Sequence, residues 1–392
     1  MQYTFADCLL DTETRTLMRA GTAVPVEPQV FDLLALLASN AERVVTTDEI
    51  VQVVWRGRIV SDSTISARIA SARKAVGDTG KDQAVIRTVQ RHCLQLVAPL
   101  SAPKPTEALP RPSAQTVRYA TAPDGAKIAF AVSGRADGTP LLMCMYAGTD
   151  LEADWTAPVT RPLFDALGTD HKLVRYDLRG SGLSERTLDR VNYTRNIMDM
   201  IAVADAAGLD QFAVLGESGG CLDAIHLAAS HPERIKHLIL AGGYTEGRSV
   251  REGGPPTEAE SIRAIINEGW GKPNNAFATA FATTYFPEGP YENVRLIAEN
   301  MTKSIPLENM LIYRDGVNLA SVVARLPQID APTLIIHGRH DSVHPLSEAR
   351  KLAQGIRDAE MVVLETANHV PLPGHPTFQS YLDAILGFLA RA

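Results

Sequence analysis

Cysteine is scarce in this chain of 392 residues: there are four, Cys8, Cys93, Cys144 and Cys221, with no metal-ligand spacing among them. That sets aside a disulfide framework and a zinc fold. With Cys144 and Cys221 in apparent core elements, a reduced, cytoplasmic setting is expected. Long apolar runs are missing too. No stretch of ~20 apolar residues is available to cross a bilayer, and the first residues lack the basic-then-apolar order of a secretory signal, so no membrane partner is expected. Basic charge is not in excess, the formal net charge being −7. Residues 99–392 hold 27 Lys and Arg against 34 Asp and Glu, so this part is not expected to bind DNA. Internal repeats are absent. No metal and no cofactor is expected.

What is present begins with Gly216-Glu217-Ser218-Gly219-Gly220. Gln211 to Leu215 is an apolar run of strand length, and Cys221 to Ser230 has a helix pattern. A serine on a tight strand-to-helix turn adopts strained backbone geometry, and flanking glycines leave it room. Such a turn presents a nucleophile. An acid and a histidine follow in chain order. Ala331 to Gly338 reads as a buried strand with Asp341 just past its end; Met361 to Leu364 reads as the next, with His369 in the loop after it. In this pattern His369 takes the proton of Ser218, and Asp341 fixes the imidazole tautomer. Asp341 also suits a helix N-cap before Pro345, and His375 competes with His369 six residues later.

From about residue 116 to 392 the chain resembles the α/β-hydrolases. The resemblance rests on the elbow, on Asp177-Leu178-Arg179-Gly180-Ser181-Gly182-Leu183-Ser184, and on His231-Pro232-Glu233-Arg234-Ile235 with Leu238-Ile239-Leu240. It implies a mostly parallel sheet with helices on both faces and a helical cap. It also implies an oxyanion hole from the amide of Gly219 and one in the loop after Pro140–Met145. The family commonly has His-Gly in that loop, whereas this chain has Ala147-Gly148, so Thr149 is expected to supply the second amide. The cap is expected at about 244–328, with helices at Glu258–Glu268, Asn275–Thr284 and Tyr291–Ser304. Its aromatics, Trp270, Phe277, Phe281, Tyr285 and Phe286, either line a largely apolar pocket or form the cap's own small core. Either way the ligand is expected to be small and partly apolar.

A Pro-rich polar stretch at 99–115 reads as a semi-rigid linker. Before it lie four short strands, an amphipathic helix at Pro28–Leu37, and a second helix begun by Thr47-Asp48-Glu49-Ile50. A third helix runs from Ser61 to Val76, and a hairpin starts at Val85–Val89. This order describes a winged helix-turn-helix, an α+β fold. Residues 1–50 hold three Lys and Arg against eight Asp and Glu, while residues 51–98 hold eight against three. The basic residues gather at Arg56, Arg58, Arg68, Arg73, Lys74, Arg87 and Arg91. A local basic face is the footprint of a phosphate-contacting surface, and it is also what a solvated helix shows.

Residues 3–98 resemble the OmpR/PhoB-type output domain. The resemblance is carried by Phe31–Leu37, Arg43–Thr46, Glu49-Ile50-Val51 with Val54-Trp55, Ser63–Ser66, Arg73–Asp78 and Ile86–Val89. It implies a third helix in the major groove of double-stranded DNA, with Ser63, Thr64, Ser66, Arg68, Ser71 and Arg73 facing the bases. Lys74 and Arg91 then lie nearer phosphates, with Arg87 on the hairpin. The family's wing usually continues Gly-x-Gly-Tyr, whereas this chain has Gln90-Arg91-His92-Cys93-Leu94. No receiver domain precedes the winged helix, so phosphorylation is not the expected switch. Two readings follow. The chain is a homodimeric transcription regulator whose hydrolase domain senses a small ester, lactone or amide, with or without hydrolysing it. Alternatively it is an esterase- or lactonase-like serine hydrolase with an accessory winged helix.

Overall fold

The computed structural model describes residues 2–12, 16–19, 22–24, 26–41, 43–55, 60–90, 93–101, 115–251, 256–272 and 276–391. The chain divides into two compact units, Met1–Leu109 and Pro110–Ala392. Most of the expected linker, residues 102–114, lies outside the described residues.

The first unit opens with an antiparallel meander of β1 (Gln2–Phe5), β2 (Cys8–Asp11), β3 (Thr16–Arg19) and β4 (Thr22–Ala23). Three helices follow, α1 (Pro28–Ser39), α2 (Thr47–Trp55) and α3 (Asp62–Ala75), then the hairpin β5 (Ile86–Gln90) and β6 (Cys93–Leu96). A short strand β7 (Leu100–Ser101), read from sequence as linker, pairs with β1 and closes the far sheet edge. Local chemistry fixes the helix starts. Pro28 occupies the first turn of α1, where a missing N–H costs nothing. Thr46 and Glu49 form a capping box: the Glu49 amide donates to the Thr46 hydroxyl at 3.3 Å and the Thr46 amide to the Glu49 carboxylate at 2.8 Å. The cap of α2 is therefore Thr46, one residue before the start read from sequence. Ser61 caps α3 by accepting from the Thr64 amide. Phe5, Leu10, Leu34, Leu37, Ile50, Ile65, Ile86 and Leu94 fill the core.

The second unit is built on an eight-stranded sheet in the order β15-β14-β13-β12-β10-β11-β9-β8. Its edge pair β8 (Thr116–Thr121) and β9 (Lys127–Gly134) is antiparallel. The rest run parallel: β10 (Thr139–Cys144), β11 (His171–Tyr176), β12 (Phe212–Glu217), β13 (Ile235–Ala241), β14 (Thr333–Gly338) and β15 (Ala359–Leu364). Short helices α4 (Leu151–Thr156) and α5 (Arg161–Gly168) follow β10; α6 (Tyr193–Ala206) precedes β12 and α7 (Gly220–Ser230) leaves it. All six residues of β12 are buried, since helices cover both faces of the sheet. Phe212 and Val214 pack with α6 and α7, while Ala213 and Leu215 pack with α5 and the C-terminal helix. After β10 the chain steps outward to β11 and then returns to the other side of β10 as β12. That reversal opens a crevice at the carboxyl ends of β10 and β12, where open sheets of this type place their ligands.

Between β13 and β14 stands the cap: α8 (Pro256–Gly269), α9 (Ala276–Tyr285), α10 (Tyr291–Ser304) and α11 (Leu307–Asn318). Three of these helices match the sequence reading within two residues. The fourth, α11, breaks the chain after Pro306 and was not legible in the pattern. The unit closes with α12 (Leu346–Gly355) and α13 (Phe378–Leu389).

Candidate active site and nucleic-acid interface

Ser218 sits between β12 and α7 with φ of 54°, in the left-handed region that non-glycine residues avoid. The surroundings hold it there. Its amide donates to the Ala241 carbonyl at 2.9 Å, and its carbonyl accepts from Cys221 at 3.0 Å. A Cβ on Gly220 would overlap the Cys144 carbonyl oxygen, and one on Gly216 would come within 2.9 Å of the Cys221 Cα. Both glycines are therefore steric requirements of the turn.

His369 and Asp341 approach from the ends of β15 and β14. His369 Nδ1 lies 2.8 Å from Asp341 Oδ2. A carboxylate accepts, so Nδ1 carries the hydrogen and the buried Nε2 is left as a base with no partner among the described residues. Asp341 Oδ1 accepts from the amides of Val343 at 2.7 Å and His344 at 3.2 Å. The alternative capping role of Asp341 is thus met in the loop itself, since α12 starts only at Leu346. Burial works to raise the Asp341 pKa, but His369 and His337 outweigh it and hold the carboxyl below its ordinary value. His375 lies elsewhere, against Glu288 at 3.2 Å and Thr377 at 2.9 Å.

Ser218, Gly219 and His369 line one cavity with Tyr146 and Ala147 from the loop after β10. Thr149 does not reach it. Its hydroxyl is buried and donates to Asp177 at 3.2 Å, and the intervening Gly148 amide is taken by the Ser181 hydroxyl at 3.0 Å. The expectation of Thr149 as second donor is corrected by its place outside the cavity lining, which this loop reaches at Tyr146 and Ala147, two residues nearer the strand.

The five cap aromatics divide between the two expectations. Phe281, Tyr285 and Phe286 line the cavity. Trp270 belongs to the cap's own packing, its indole donating to the Ile305 carbonyl at 2.7 Å and its ring set edge-on to Phe281. Phe277 is 52% exposed and lines nothing there. Sequence pattern does not single out Tyr244, Tyr313, Arg314 and His344, yet all four line the cavity. Arg314 donates to the Tyr285 hydroxyl at 2.6 Å, and its buried Nε has no partner among the described residues. No Asp or Glu is among the lining residues. The only signal for Arg314 was a single basic residue on α11, beside the acidic Glu308 and Asp315.

Behind the elbow, Asp223 of α7 is fully buried, and accepts from Asn196 at 2.9 Å. Burial pushes its pKa up to about 7. A folded-state value above the unfolded one means that stability falls as pH rises from about 4 to about 7, where the folded unit must ionise the group. Asp223→Asn is expected to stabilise the protein at pH 8 and to change little at pH 4. The ceiling is about 4 kcal/mol for three pKa units. Urea unfolding at both pH values checks this, and an equal difference at both would mean that Asp223 is not the neutral acid described.

On the winged helix, Ser63, Ser66 and Lys74 are exposed, and Ala67 and Ala70 join them in one stripe along α3. Thr64 and Ser71 flank it, half-buried. Arg73 points the other way. It is 9% exposed and donates to the Ile86 carbonyl at 3.0 Å and the Thr88 hydroxyl at 2.9 Å, fastening α3 to the hairpin. The expectation that Arg73 faces DNA is corrected on that ground: although it stands seven residues after the exposed Ser66, its guanidinium is claimed by the Ile86 carbonyl and the Thr88 hydroxyl. Arg68 is half-buried and paired with Glu27. Arg87 is exposed on β5. Arg56, Arg58 and Arg91 lie outside the described residues.

Residues 141–376 match the family described as alpha/beta hydrolase fold, and residues 21–93 match the C-terminal domain of transcriptional regulatory proteins. Among curated relatives, a pyrrolizixenacetamide deacetylase of Xenorhabdus hominickii is 25% identical over 63% of this chain and 91% of that protein. A 2-hydroxymuconate semialdehyde hydrolase of Pseudomonas sp. strain CF600 is 29% identical over 65% of this chain and 88% of its own length. Among solved structures, the enol-lactonase of Burkholderia xenovorans LB400 superposes with a TM-score of 0.58, at 21% identity, over 70% of this chain and all of that one. That likeness is one of fold.

Proposed function

The chain belongs to the α/β-hydrolase fold family and carries a winged helix of the transcriptional regulatory type ahead of the hydrolase unit; from that premise we propose a DNA-binding regulator whose hydrolase unit binds a small ester, lactone or amide and cleaves it. The observation that carries this reading is the partnerless His369 Nε2 facing the same cavity as Ser218, with Asp341 fixing the other ring nitrogen. Ser218 Oγ attacks the ligand's carbonyl carbon and passes its proton to His369 Nε2. The carbonyl electron pair moves to oxygen, which receives hydrogen bonds from Gly219 and the Tyr146-Ala147 backbone. Collapse expels the alcohol or amine, protonated by His369, and water then releases the acid from Ser218 by the same steps. The cavity walls are mostly apolar, and Arg314 suits an acidic or oxygen-rich end of the ligand. The relative named as a deacetylase supports a carbonyl–nitrogen bond as one target.

A ligand changes DNA affinity only by its differential affinity for the two protein states. Cleavage that destroys the ligand makes Ser218 a timer of the response. Homodimers on two half-sites in the cytoplasm complete the proposal. The test is DNA upstream of the protein's own gene, driving a reporter after a ligand pulse. With Ser218→Ala the response is expected to persist, while the wild-type response decays. Equal decay removes the timer. No binding to that DNA favours the enzyme with an accessory winged helix.

A further inference from the structure

Gly219, the residue after Ser218, carries a second steric feature. A Cβ built on it would overlap the hydroxyl of Tyr313 and come within 3.2 Å of Tyr313 Cζ. The phenol of Tyr313 therefore occupies the space that a side chain at 219 would fill, and rests directly on the backbone that donates to the oxyanion. Tyr313 lines the cavity with Ser218, and its buried hydroxyl has no hydrogen-bond partner among the described residues. A buried hydroxyl with no partner costs stability, so its retention points to a partner that arrives from outside. Burial raises the phenol pKa well above its ordinary value, with Asp223 and Tyr244 adding to the effect. The group is therefore a neutral O–H with a hydrogen to donate.

The helix that carries it is held firmly. Asn309 at the start of α11 donates to the carbonyls of Gly180 at 2.9 Å and Arg186 at 2.7 Å. Asp315 pairs with Arg263 of α8 at 2.6 Å. Donors fixed in this way lose little on meeting the charge that develops in a reaction.

We infer that Tyr313 is a third donor to the reacting oxygen at Ser218, supplied by the cap rather than by the sheet. This rests on the serine-hydrolase reading proposed above. In acyl transfer, the oxygen that gains the carbonyl electron pair accepts from the Gly219 amide, the Tyr146-Ala147 backbone and the Tyr313 hydroxyl together. Reactivity then depends on α11 being seated over the elbow.

The experiment uses the full chain and a fluorophosphonate probe. Ser218 Oγ bonds to phosphorus, fluoride leaves, the serine proton passes to His369, and the phosphoryl oxygen takes the place of the oxyanion. Tyr313→Phe is expected to slow labelling about tenfold to a hundredfold while leaving the melting temperature equal or higher, because it removes only an unsatisfied hydroxyl. Labelling within twofold of wild type would overturn the third donor and leave the hydrolase reading standing. A slower rate accompanied by a lower melting temperature would also overturn it, since the hydroxyl would then be structural. If Ser218 of the wild-type protein takes up no probe, the hydrolase reading fails and the third donor fails with it.

Discussion

Ser218→Ala abolishes covalent labelling by a fluorophosphonate at neutral pH, and His369→Ala slows it by about 10³-fold or more; these are the expected results if the elbow geometry works as a nucleophile. The reasoning starts from the backbone. A serine held at φ of 54° is strained, and the Ala241 and Cys221 contacts maintain that strain. Its neighbour His369 keeps one ring nitrogen on Asp341 and leaves the other bare. Asp341→Asn accepts poorly from that ring and favours the wrong tautomer, so a loss of about 10⁴-fold is expected there. Mass spectrometry of the labelled protein reads the site, and circular dichroism confirms that each variant is folded. Uptake of probe by a residue other than Ser218 would refute the assignment. A folded wild-type protein that takes up no probe would leave a sensor without chemistry.

Much of this arrangement could be read from residue order, because the features concerned are local. The elbow needs Gly216 and Gly220 beside Ser218, and these lie within five consecutive residues. Strand ends position Asp341 and His369, and apolar runs mark those strands. The errors share a physical cause. Thr149 lies outside the cavity lining, its hydroxyl drawn to Asp177 and the adjoining Gly148 amide to Ser181, partners more than 25 residues along the chain. Arg73 looked basic and therefore exposed, yet the Ile86 carbonyl and the Thr88 hydroxyl draw it inward. Tyr313 and Arg314 lie on a helix whose pattern gives no sign of the cavity that α11 covers. Long-range partners decide such positions, and no short window of sequence contains them.

The inward course of Arg73 separates two kinds of effect in the winged helix, and this separation carries the last prediction. Ala70→Glu places a carboxylate in the exposed stripe of α3, at a position where the alanine is exposed. If that stripe enters the major groove, the charge meets phosphates and base edges, and affinity for upstream DNA is expected to fall by about 2 kcal/mol or more, roughly thirtyfold, with the melting temperature unchanged. Lys74→Ala is expected to weaken binding uniformly across sequences and to lower the slope of log K against log salt by about 0.9, the loss of one phosphate contact. Arg73→Ala differs in kind. Leaving the Ile86 carbonyl and the Thr88 hydroxyl without their guanidinium is expected to cost about 1–3 kcal/mol of folding stability, and to weaken DNA binding only through that loss. Fluorescence anisotropy across a salt series, with thermal unfolding of each variant, distinguishes the three. An Ala70→Glu protein that binds as the wild type does would exclude the α3 stripe from the DNA interface, whereas an Arg73→Ala protein of unchanged stability but reduced affinity would restore that arginine to it.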